Sequence, residues 1–347
     1  MNSPDSGWTD RPLRIVAIGG GTGLSTLLHG LKRFAYPRPG APQADITAVV
    51  TVTDDGGSSG RLRRDFKVLP PGDIRNCMVA LSEDAALLSR LFQYRFARGE
   101  GLKGHSFGNL FLTALTHITG DFAQAVKVSS EVLAIAGRIY PSTAANVGVR
   151  AQLADGSTVQ GETQISRSRS RIRSVALTRE CSPLEETLEA IAEADAITFG
   201  PGSLFTSVIP NVLVEGIPQA IARSRAVKAC FVNLMWQPWE TVEFTAAEHV
   251  EAIHSHAKLK LLDYAVLNSR PVGAALLERY ARRHSRPVEN DVERLRAQGV
   301  TVLERDLVED GAKIRHDPTA IAAVALELAA EGRRRRESAG PPPAARA

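Results

Sequence analysis

Two glycine-rich segments follow predicted strands and have the composition of loops that bind phosphate groups. Residues 19–23 read GGGTG and precede a helical pattern, and residues 200–203 read GPGS. Glycine lets the backbone turn tightly and lets an anion approach the amides, while a helix N-terminus adds partial positive charge. The alternative is a tight strand-to-helix turn in each place, since neither G-x-G-x-x-G nor G-K-[ST] occurs. Two such loops favour a diphosphate ligand, held by Gly20, Gly21, Thr22, Gly23, Gly200, Gly202 and Ser203.

Two adjacent carboxylates, Asp54 and Asp55, follow the second predicted strand, and GGSSGRLRR comes directly after them. Such a pair would hold ribose hydroxyls, a Mg²⁺ on a diphosphate, or the amides of its own loop. The last role is ordinary for Asp before Gly. We take Asp54 and Asp55 as candidate ligand-binding residues and as the candidate metal ligands, and we include Ser58 from the segment that follows.

A rigid Pro-Pro turn at residues 70–71 leads into the helical pattern GDIRNCMVALS. The spacing predicts that Asp73 caps this helix at its N-terminus. Arg75 and Asn76 would then lie on the first turn, where they either aim at a ligand or face solvent.

Two further sets of polar residues are candidates for binding. His105, Ser106 and Asn109 open another predicted helix, in the segment GHSFGN. A ligand-binding loop is favoured there over a hydrolase triad, because no G-x-S-x-G motif is present. Near the C-terminal end of the body, Tyr280 would stack on a base or sugar and Arg315 would clamp a diphosphate.

Six short apolar segments predict buried parallel strands, with amphipathic helical patterns between most of them. These segments are residues 14–18, 46–52, 196–200, 229–234, 262–268 and 300–303. The alternation is typical of a doubly wound, Rossmann-like α/β sheet, whose ligands bind at the carboxyl ends of the strands near the switch point. The candidate residues named above cluster at those predicted strand ends.

One stretch breaks the alternation. Residues 73–135 predict helix almost throughout, and residues 147–178 switch to the period of two that indicates a β-hairpin or small antiparallel sheet. We therefore predict one α/β nucleotide-binding domain over residues 13–330, with a helical and β-hairpin insertion at residues 73–180.

The composition bounds the class of protein. The 347 residues are 44% apolar and 23% charged, which is globular and excludes a wholly disordered, collagen-like or coiled-coil chain. No apolar run approaches the roughly 20 residues of a membrane helix, so membrane insertion is not expected. Residues 1–12 lack the apolar region of a signal peptide and are predicted to be disordered. Three scattered cysteines fit a reducing cytoplasm.

The net charge of +4 lies largely at one end of the chain. Residues 331–347 hold five Arg and two Glu and are predicted to form a disordered basic tail. The rest of the chain is nearly neutral, which argues against a dedicated nucleic-acid binder.

Five segments resemble the gluconeogenesis factor (YvcK-like) family, in the same superfamily as the CofD-like 2-phospho-L-lactate transferases. They are GGGTGLSTLLHGLK, TVTDDGGSSGRLR, PPGDIRNCMVALS, GHSFGNL and GPGSLFTSVIPNVL. The resemblance covers about residues 12–330. It implies a cytoplasmic regulatory protein linked to growth on gluconeogenic carbon sources, cell shape and peptidoglycan synthesis, with no established reaction. It also implies that a UDP-sugar such as UDP-N-acetylglucosamine is bound, with Tyr280 and Arg315 matching the family's nucleotide-sugar contacts.

Two positions depart from that resemblance. Pro318 stands where some relatives carry a phosphorylatable Thr after R-H-D. Trp236 and Trp239 stand in place of smaller residues of the family's pattern, and a bulky pair would narrow the pocket or cover it.

The sequence thus leaves two function hypotheses. The first is a binding and regulatory protein for a UDP-sugar or related nucleotide. Its partner hypotheses are a homodimer and proteins of cell-wall synthesis. The alternative is a Mg²⁺-dependent CofD-like phosphotransferase acting on a nucleotide-activated phospho-acid. In that case Asp54 and Asp55 would hold the metal and His105 would be the candidate base.

Overall fold

The computed structural model describes residues 11–83 and 86–338. Its strands are β1 (Leu13–Gly19), β2 (Ala44–Val50), β3 (Arg138–Pro141), β4 (Val149–Leu153), β5 (Thr158–Gln160), β6 (Ile172–Leu177), β7 (Ala196–Phe199), β8 (Val227–Phe231), β9 (Tyr264–Asn268) and β10 (Thr301–Arg305). The first helices are α1 (Gly21–Leu31), α2 (Gly57–Phe66), α3 (Gly72–Leu81), α4 (Ala86–Gln93), α5 (Phe107–Thr119), α6 (Phe122–Val132) and α7 (Glu162–Ile165). The remaining helices are α8 (Glu185–Glu193), α9 (Ile209–Val212), α10 (Ile217–Arg223), α11 (Ala246–Ala257), α12 (Ala274–Ala281), α13 (Val292–Ala297) and α14 (Pro318–Ser338).

Seven parallel strands form the central sheet in the order β10-β9-β8-β7-β1-β2-β3. The strand order reverses between β1 and β7, which makes the space beyond their carboxyl ends the switch point of a doubly wound sheet. The predicted Rossmann-like fold is therefore confirmed. All six predicted strands are present within one to three residues of their predicted bounds.

Strand β1 shows why these segments are strands. Its sequence LRIVAIG is buried at every position except Arg14, as expected for a parallel strand covered by helices on both faces. Helices α1 and α14 pack together above it. A Cβ on Gly30 would lie 1.9 Å from the Pro318 carbonyl oxygen, so only glycine allows this close approach.

The predicted insertion is present in its parts. Helices α3 to α6 fill the first half, and a small antiparallel sheet with the order β5-β4-β6 fills the second. Between them the chain returns to the central sheet as β3, which the sequence analysis missed. The helical half is thus framed by two strands of the main sheet. Asp73 was wrongly predicted as a helix cap: the N-cap of α3 is Pro71, and Asp73 lies inside the first turn.

The predicted disordered tail is wrong for residues 331–338, which continue α14. Arg333 forms a two-pronged ion pair with the buried Asp195, with Nη2–Oδ2 at 2.6 Å and Nε–Oδ1 at 3.1 Å. The same guanidinium donates to the Pro12 carbonyl at 2.7 Å. The helix therefore continues because an arginine of the basic run has a buried partner. The rest of the predicted tail and residues 1–10 lie outside the described residues.

Two further findings bear on the class of protein. All three cysteines are buried and free. Within residues 11–83 and 86–338, no single helix has the length and apolar character to cross a membrane. One bent pair of helical segments, Leu204–Val212 and Ile217–Arg223, reaches that length and apolar character only when the two are taken together.

Candidate functional site

A cleft of about 450 Å³ opens at the switch point, beyond the carboxyl ends of β1 and β7. One wall consists of the first loop (residues 19–23) and the second loop (residues 200–203). The facing wall comes from the segments after β8, α12 and β10. Of the predicted site residues, eight line this cleft: Gly20, Gly21, Thr22, Gly23, Gly202, Ser203, Tyr280 and Arg315.

The first loop presents the N-terminus of α1 to the cleft. Gly20 occupies the N-cap position, so no side chain caps the helix, and the first turn carries no acidic residue. Gly21 has a φ of +64°, which favours glycine. A Cβ on Gly23 would lie 2.3 Å from the Pro201 carbonyl oxygen, so a glycine is needed where the two loops meet. The amides of a helix's first turn have no partner within the helix. The Gly21 amide contacts Asp73, and the amides of Thr22 and Gly23, together with the helix dipole, make an anion site.

The second loop is braced by the segment that follows β8. Gln237 Nε2 donates to Ser203 Oγ at 2.6 Å. Glu240, 4% exposed, accepts hydrogen bonds from the amides of Phe205 at 2.8 Å and Thr206 at 3.2 Å. Burial raises the pKa of Glu240 to about 7, although those amide bonds favour the charged form. Glu240 thus holds the turn after β7, and its pKa lies near neutral pH.

The facing wall carries the cationic and aromatic groups. The Tyr280 hydroxyl accepts a hydrogen bond from the Ile314 amide at 3.1 Å and so holds the segment that carries Arg315. Arg283 and Arg315 both line the cleft and both are exposed. The side chain of His316 also lines it, and burial lowers its pKa to about 4, so this histidine is neutral at physiological pH. The wall offers two exposed guanidiniums to an anionic ligand.

The predicted acidic pair diverges in the structure. Asp54 Oδ1 accepts the Gly56 amide of its own loop at 2.7 Å. Asp55 Oδ1 accepts both the amide of Thr163 at 2.9 Å and its hydroxyl at 2.8 Å. The lining of the cleft includes neither residue. Asp55 joins the end of β2 to α7 of the insertion, and its partners lie away from the cleft.

Asp73, missed as a site residue, lies directly behind the first loop. A Cβ on Gly20 would be 2.6 Å from Asp73 Oδ2. Burial, and after it the negative charge of Asp54, raise the Asp73 pKa to about 7, while the Gly21 amide and Arg75 act in the opposite direction. No local signal could have shown this position, because Asp in a first turn is also ordinary capping chemistry.

Glu162 adds a further acid to this region. Burial raises its pKa to about 9, and the charges of Asp73, Asp54, Glu240 and Asp55 act in the same direction. Across residues 11–83 and 86–338, however, no three or more His, Cys, Asp or Glu side chains converge closely enough to hold a metal ion by themselves.

The other predicted residues form a second cluster between α2, α3 and α5, made of Ser58, Arg75, Asn76, His105, Ser106 and Asn109. His105 is 5% exposed, and its Nδ1 lies 2.9 Å from Ser58 Oγ. Asn109 Nδ2 donates to the same hydroxyl at 3.2 Å. Burial lowers the pKa of His105, and the nearby Arg61 lowers it further. The cleft lining does not include His105, so its buried position argues against a role as base.

Arg75 anchors the other half of this second cluster. Its Nη1 donates to Ser106 Oγ at 2.6 Å, and its Nη2 donates to Asn76 Oδ1 at 2.6 Å. Ser106 in turn caps α5. These hydrogen bonds join three helices, although Arg75 Nε and Asn109 Oδ1 are buried without a hydrogen-bond partner. A role in packing is the structural explanation for most of these polar side chains.

Cleft residues that the sequence analysis did not select include Asn233, Gln237, Arg283 and His316. Asn233 lies within the predicted fourth strand segment and just beyond the observed end of β8, so a polar residue at a strand end was the available signal. Arg283 and His316 adjoin candidate or motif residues but carry no distinctive spacing.

Comparisons with known proteins agree with this geometry. A family model described as "2-phospho-L-lactate transferase CofD" matches residues 15–308. A Bacillus subtilis protein named "Gluconeogenesis factor" is 45% identical over 320 residues, which cover 92% of this chain and 98% of that protein. A Halalkalibacterium halodurans protein of the same name is 44% identical over 315 residues, covering 90% of this chain and 95% of that protein. A crystal structure of a Bacillus halodurans protein matches with a TM-score of 0.87 and 42% identity, over 91% of this chain and 100% of that one.

Proposed function

The chain belongs to the CofD family and, within it, to the gluconeogenesis factors, and from this premise we propose that it binds a nucleotide sugar at the switch point. The proposed ligand is UDP-N-acetylglucosamine or a close relative. The observation that carries the proposal is the pairing of two glycine loops across one cleft, with Arg283 and Arg315 on the facing wall. A diphosphate matches this arrangement, since it bears negative charge along a length that two loops can span.

The energy required is modest. Micromolar affinity corresponds to about −8 kcal/mol, and hydrogen bonds to charged groups contribute about 1.5–3 kcal/mol each. The open amides of α1 and one of the two arginines supply most of that amount before any stacking of the base.

We further propose that binding, not turnover, is the activity. Occupancy of the cleft would alter a cytoplasmic surface that proteins of cell-wall synthesis recognise, in keeping with a link to cell shape and peptidoglycan synthesis during growth on gluconeogenic carbon sources. The names of the full-length relatives support the gluconeogenic link.

The test is calorimetric titration of the purified protein with UDP-N-acetylglucosamine, with GDP and NAD as comparison ligands. Arg315→Ala should weaken binding of the UDP-sugar at least tenfold. Arg282→Ala is the matched control, because Arg282 is 75% exposed and pairs only with Glu278 on its own helix. Equal binding of all three ligands, or an unaffected Arg315→Ala variant, would contradict the proposal.

A second candidate function is Mg²⁺-dependent transfer of a nucleotide-activated phospho-acid, which the description of the family favours. Mg²⁺ usually takes one or two protein carboxylates and completes its shell with substrate phosphates and water. Asp73 lies behind the first loop, and Asp54 lies close enough for its charge to raise the Asp73 pKa; a Cβ on Gly72 would lie 2.7 Å from Asp54 Oδ2. These residues fit a magnesium ion shared with bound phosphates, which would screen their charge.

Asp54→Asn separates the two functions. Under the transferase hypothesis this variant should lose turnover of a nucleotide-activated phospho-acid with an alcohol acceptor. Under the binding hypothesis, turnover is absent from the start and only the affinity for the UDP-sugar changes. The assay follows release of the nucleoside monophosphate in the presence of Mg²⁺.

A further inference from the structure

Three residues from separate segments form an aromatic and cationic rim at the mouth of the cleft. The rings of Trp239 and His284 lie 5.8 Å apart between centroids, at an interplanar angle of 45°. The guanidinium carbon of Arg169 lies 6.0 Å from the Trp239 ring centroid. Arg169 belongs to the segment that leads into the small sheet, so this rim joins the insertion to the main domain.

The neighbours of these residues place the rim against the cleft. Pro238, directly before Trp239, lines the cleft, and so do Arg283 and Ser285, on either side of His284. Trp239 and His284 are not among the residues that line the cleft, but both are exposed and both directly follow lining residues, so the rim lies beside the opening.

The backbone around Trp239 directs its indole outward. Gln237 is tied to Ser203 of the second loop, and Glu240 is buried on the amides that follow that loop. The Gln237 carbonyl accepts the amides of Glu240 at 3.1 Å and Thr241 at 3.0 Å, which closes a tight turn with Trp239 inside it. With both flanks held down, Trp239 keeps 36% of its surface exposed.

Trp239 also adopts a backbone conformation that side chains of its kind avoid. Its φ is +69°, in the left-handed region. The helix C-caps Lys67 and Lys258 also lie in that region, whereas Trp239, like Glu243, ends no helix. Strain of this kind persists where the surroundings over-determine it, and such positions concentrate at ligand clamps.

The chemistry of the rim indicates its ligand. An exposed indole face offers an apolar, electron-rich surface to the C–H face of a pyranose ring, and Arg169 offers donors to hydroxyl or acetamido oxygens. The second loop, to which this turn is tied, would hold one phosphate of a diphosphate. The group attached beyond that phosphate then reaches the rim.

We propose that Trp239 is the platform on which the sugar ring of the bound nucleotide sugar stacks, and therefore a specificity-determining residue for nucleotide sugars over free nucleotides. This inference rests on the proposed function, because it needs a nucleotide sugar in the cleft. Arg169 completes the subsite from the insertion.

The experiment is calorimetric titration of the full chain with two probes, UDP-N-acetylglucosamine and UDP. Trp239→Ala should raise the Kd for the UDP-sugar about tenfold and leave the Kd for UDP within about twofold. Trp239→Phe should recover most of the affinity, because it keeps an aromatic face. Trp239→Gly relieves the left-handed strain and should lose affinity as Trp239→Ala does, which separates stacking from strain. Tyr36→Ala, at an exposed aromatic near the opposite end of α1, is the control and should bind both probes normally.

Two results would overturn the inference alone. One is a wild type that binds both probes, together with Trp239 variants that each bind both probes as tightly as the wild type does. The other is an equal loss of UDP and UDP-sugar affinity in Trp239→Ala, which would make the residue part of the general site. A wild type that binds neither probe would instead overturn the proposed function, and this inference with it. Thermal melts of each variant confirm folding before titration.

Discussion

If the cleft binds a diphosphate as proposed, we expect Asp73 to make the affinity for it depend on pH. Its carboxyl lies behind the first loop and has a pKa of about 7, raised by burial and by Asp54. A phosphate bound to the amides of α1 adds negative charge close by and raises that pKa further. The ligand therefore binds the form in which Asp73 is protonated, and binding takes up a proton when the free protein is ionised.

The magnitude follows from that pKa. Below pH 7 the free protein already carries the proton, so the Kd is nearly constant. Above pH 7 the Kd rises, and if the bound form stays protonated it increases about tenfold between pH 6 and pH 8. That change is equivalent to about 1.4 kcal/mol. Both phosphates of a nucleotide sugar are diesters, so the ligand itself does not titrate in this range.

The assay is titration calorimetry with UDP-N-acetylglucosamine at pH 6, 7 and 8, in chelator-treated solution. Repeating it at pH 8 in two buffers of different ionisation enthalpy counts the protons taken up, and the expected number approaches one. Asp73→Asn stays neutral at every pH, so its Kd should change much less. Glu240, whose pKa is also raised to about 7, would account for any residual slope.

A second variant is the control for the acidic region as a whole. Glu162 has a pKa of about 9 and is neutral throughout this range, so Glu162→Gln should keep the wild-type slope. A flat wild-type profile, or the same slope in Asp73→Asn as in the wild type, would refute the reasoning. The stability of the fold follows the same sign: a raised pKa in the folded state means that the wild type loses stability as pH rises from about 4 to 7.

Three other substitutions test separate contacts. Arg333→Ala removes the closer of the two arginines that pair with the buried Asp195 and should lower the free energy of unfolding by up to about 3–5 kcal/mol in urea titrations. Gly23→Ala forces the two loops apart and should cost about 1–3 kcal/mol in the same measurement, together with most of the nucleotide affinity. Asp55→Ala releases Thr163, so limited proteolysis should cut the insertion faster while the Kd for the UDP-sugar stays within about twofold.

Each of these has a control and a result that would contradict it. Arg334→Ala changes an exposed neighbour and should be nearly neutral, and an equal loss in both variants would mean that helix propensity, not the ion pair, is responsible. A Cβ on Gly273 meets nothing within 4 Å, so Gly273→Ala should be tolerated. A tenfold loss of UDP-sugar affinity in Asp55→Ala would return that carboxylate to the binding site.

The fold was predictable where one rule decided the outcome. Strand β1 is apolar on both faces and can only be a covered parallel strand. Strand β3 was missed because RIYP is short and ends in proline. It also lies at the edge of the sheet, where a strand pairs with one neighbouring strand instead of two. The continuation of α14 was missed because its cause, the buried Asp195, lies far away in the sequence.

The candidate site was likewise predictable only in part. The loops at residues 19–23 and 200–203 were predictable, because glycine composition and the switch-point rule both act locally. Asp54 and Asp55 look equivalent in sequence, yet one bonds its own loop and the other bonds the insertion. Asp73 looked like a helix cap and lies behind the first loop. Which carboxylate faces which partner depends on how the insertion folds back, and this is a property of tertiary packing.

The clamp at Asp195 has a consequence for how the protein is made. Asp195 also accepts the amide of Arg14 at the start of β1, at 2.8 Å, so one carboxylate joins the strand synthesised first to the helix synthesised last among the described elements. On the ribosome, β1 and β2 emerge and can pair long before α14 exists. The ion pair that joins β1 to α14 therefore cannot form until Arg333 has left the exit tunnel. Until then, the start of β1 lacks this contact with the C-terminal helix.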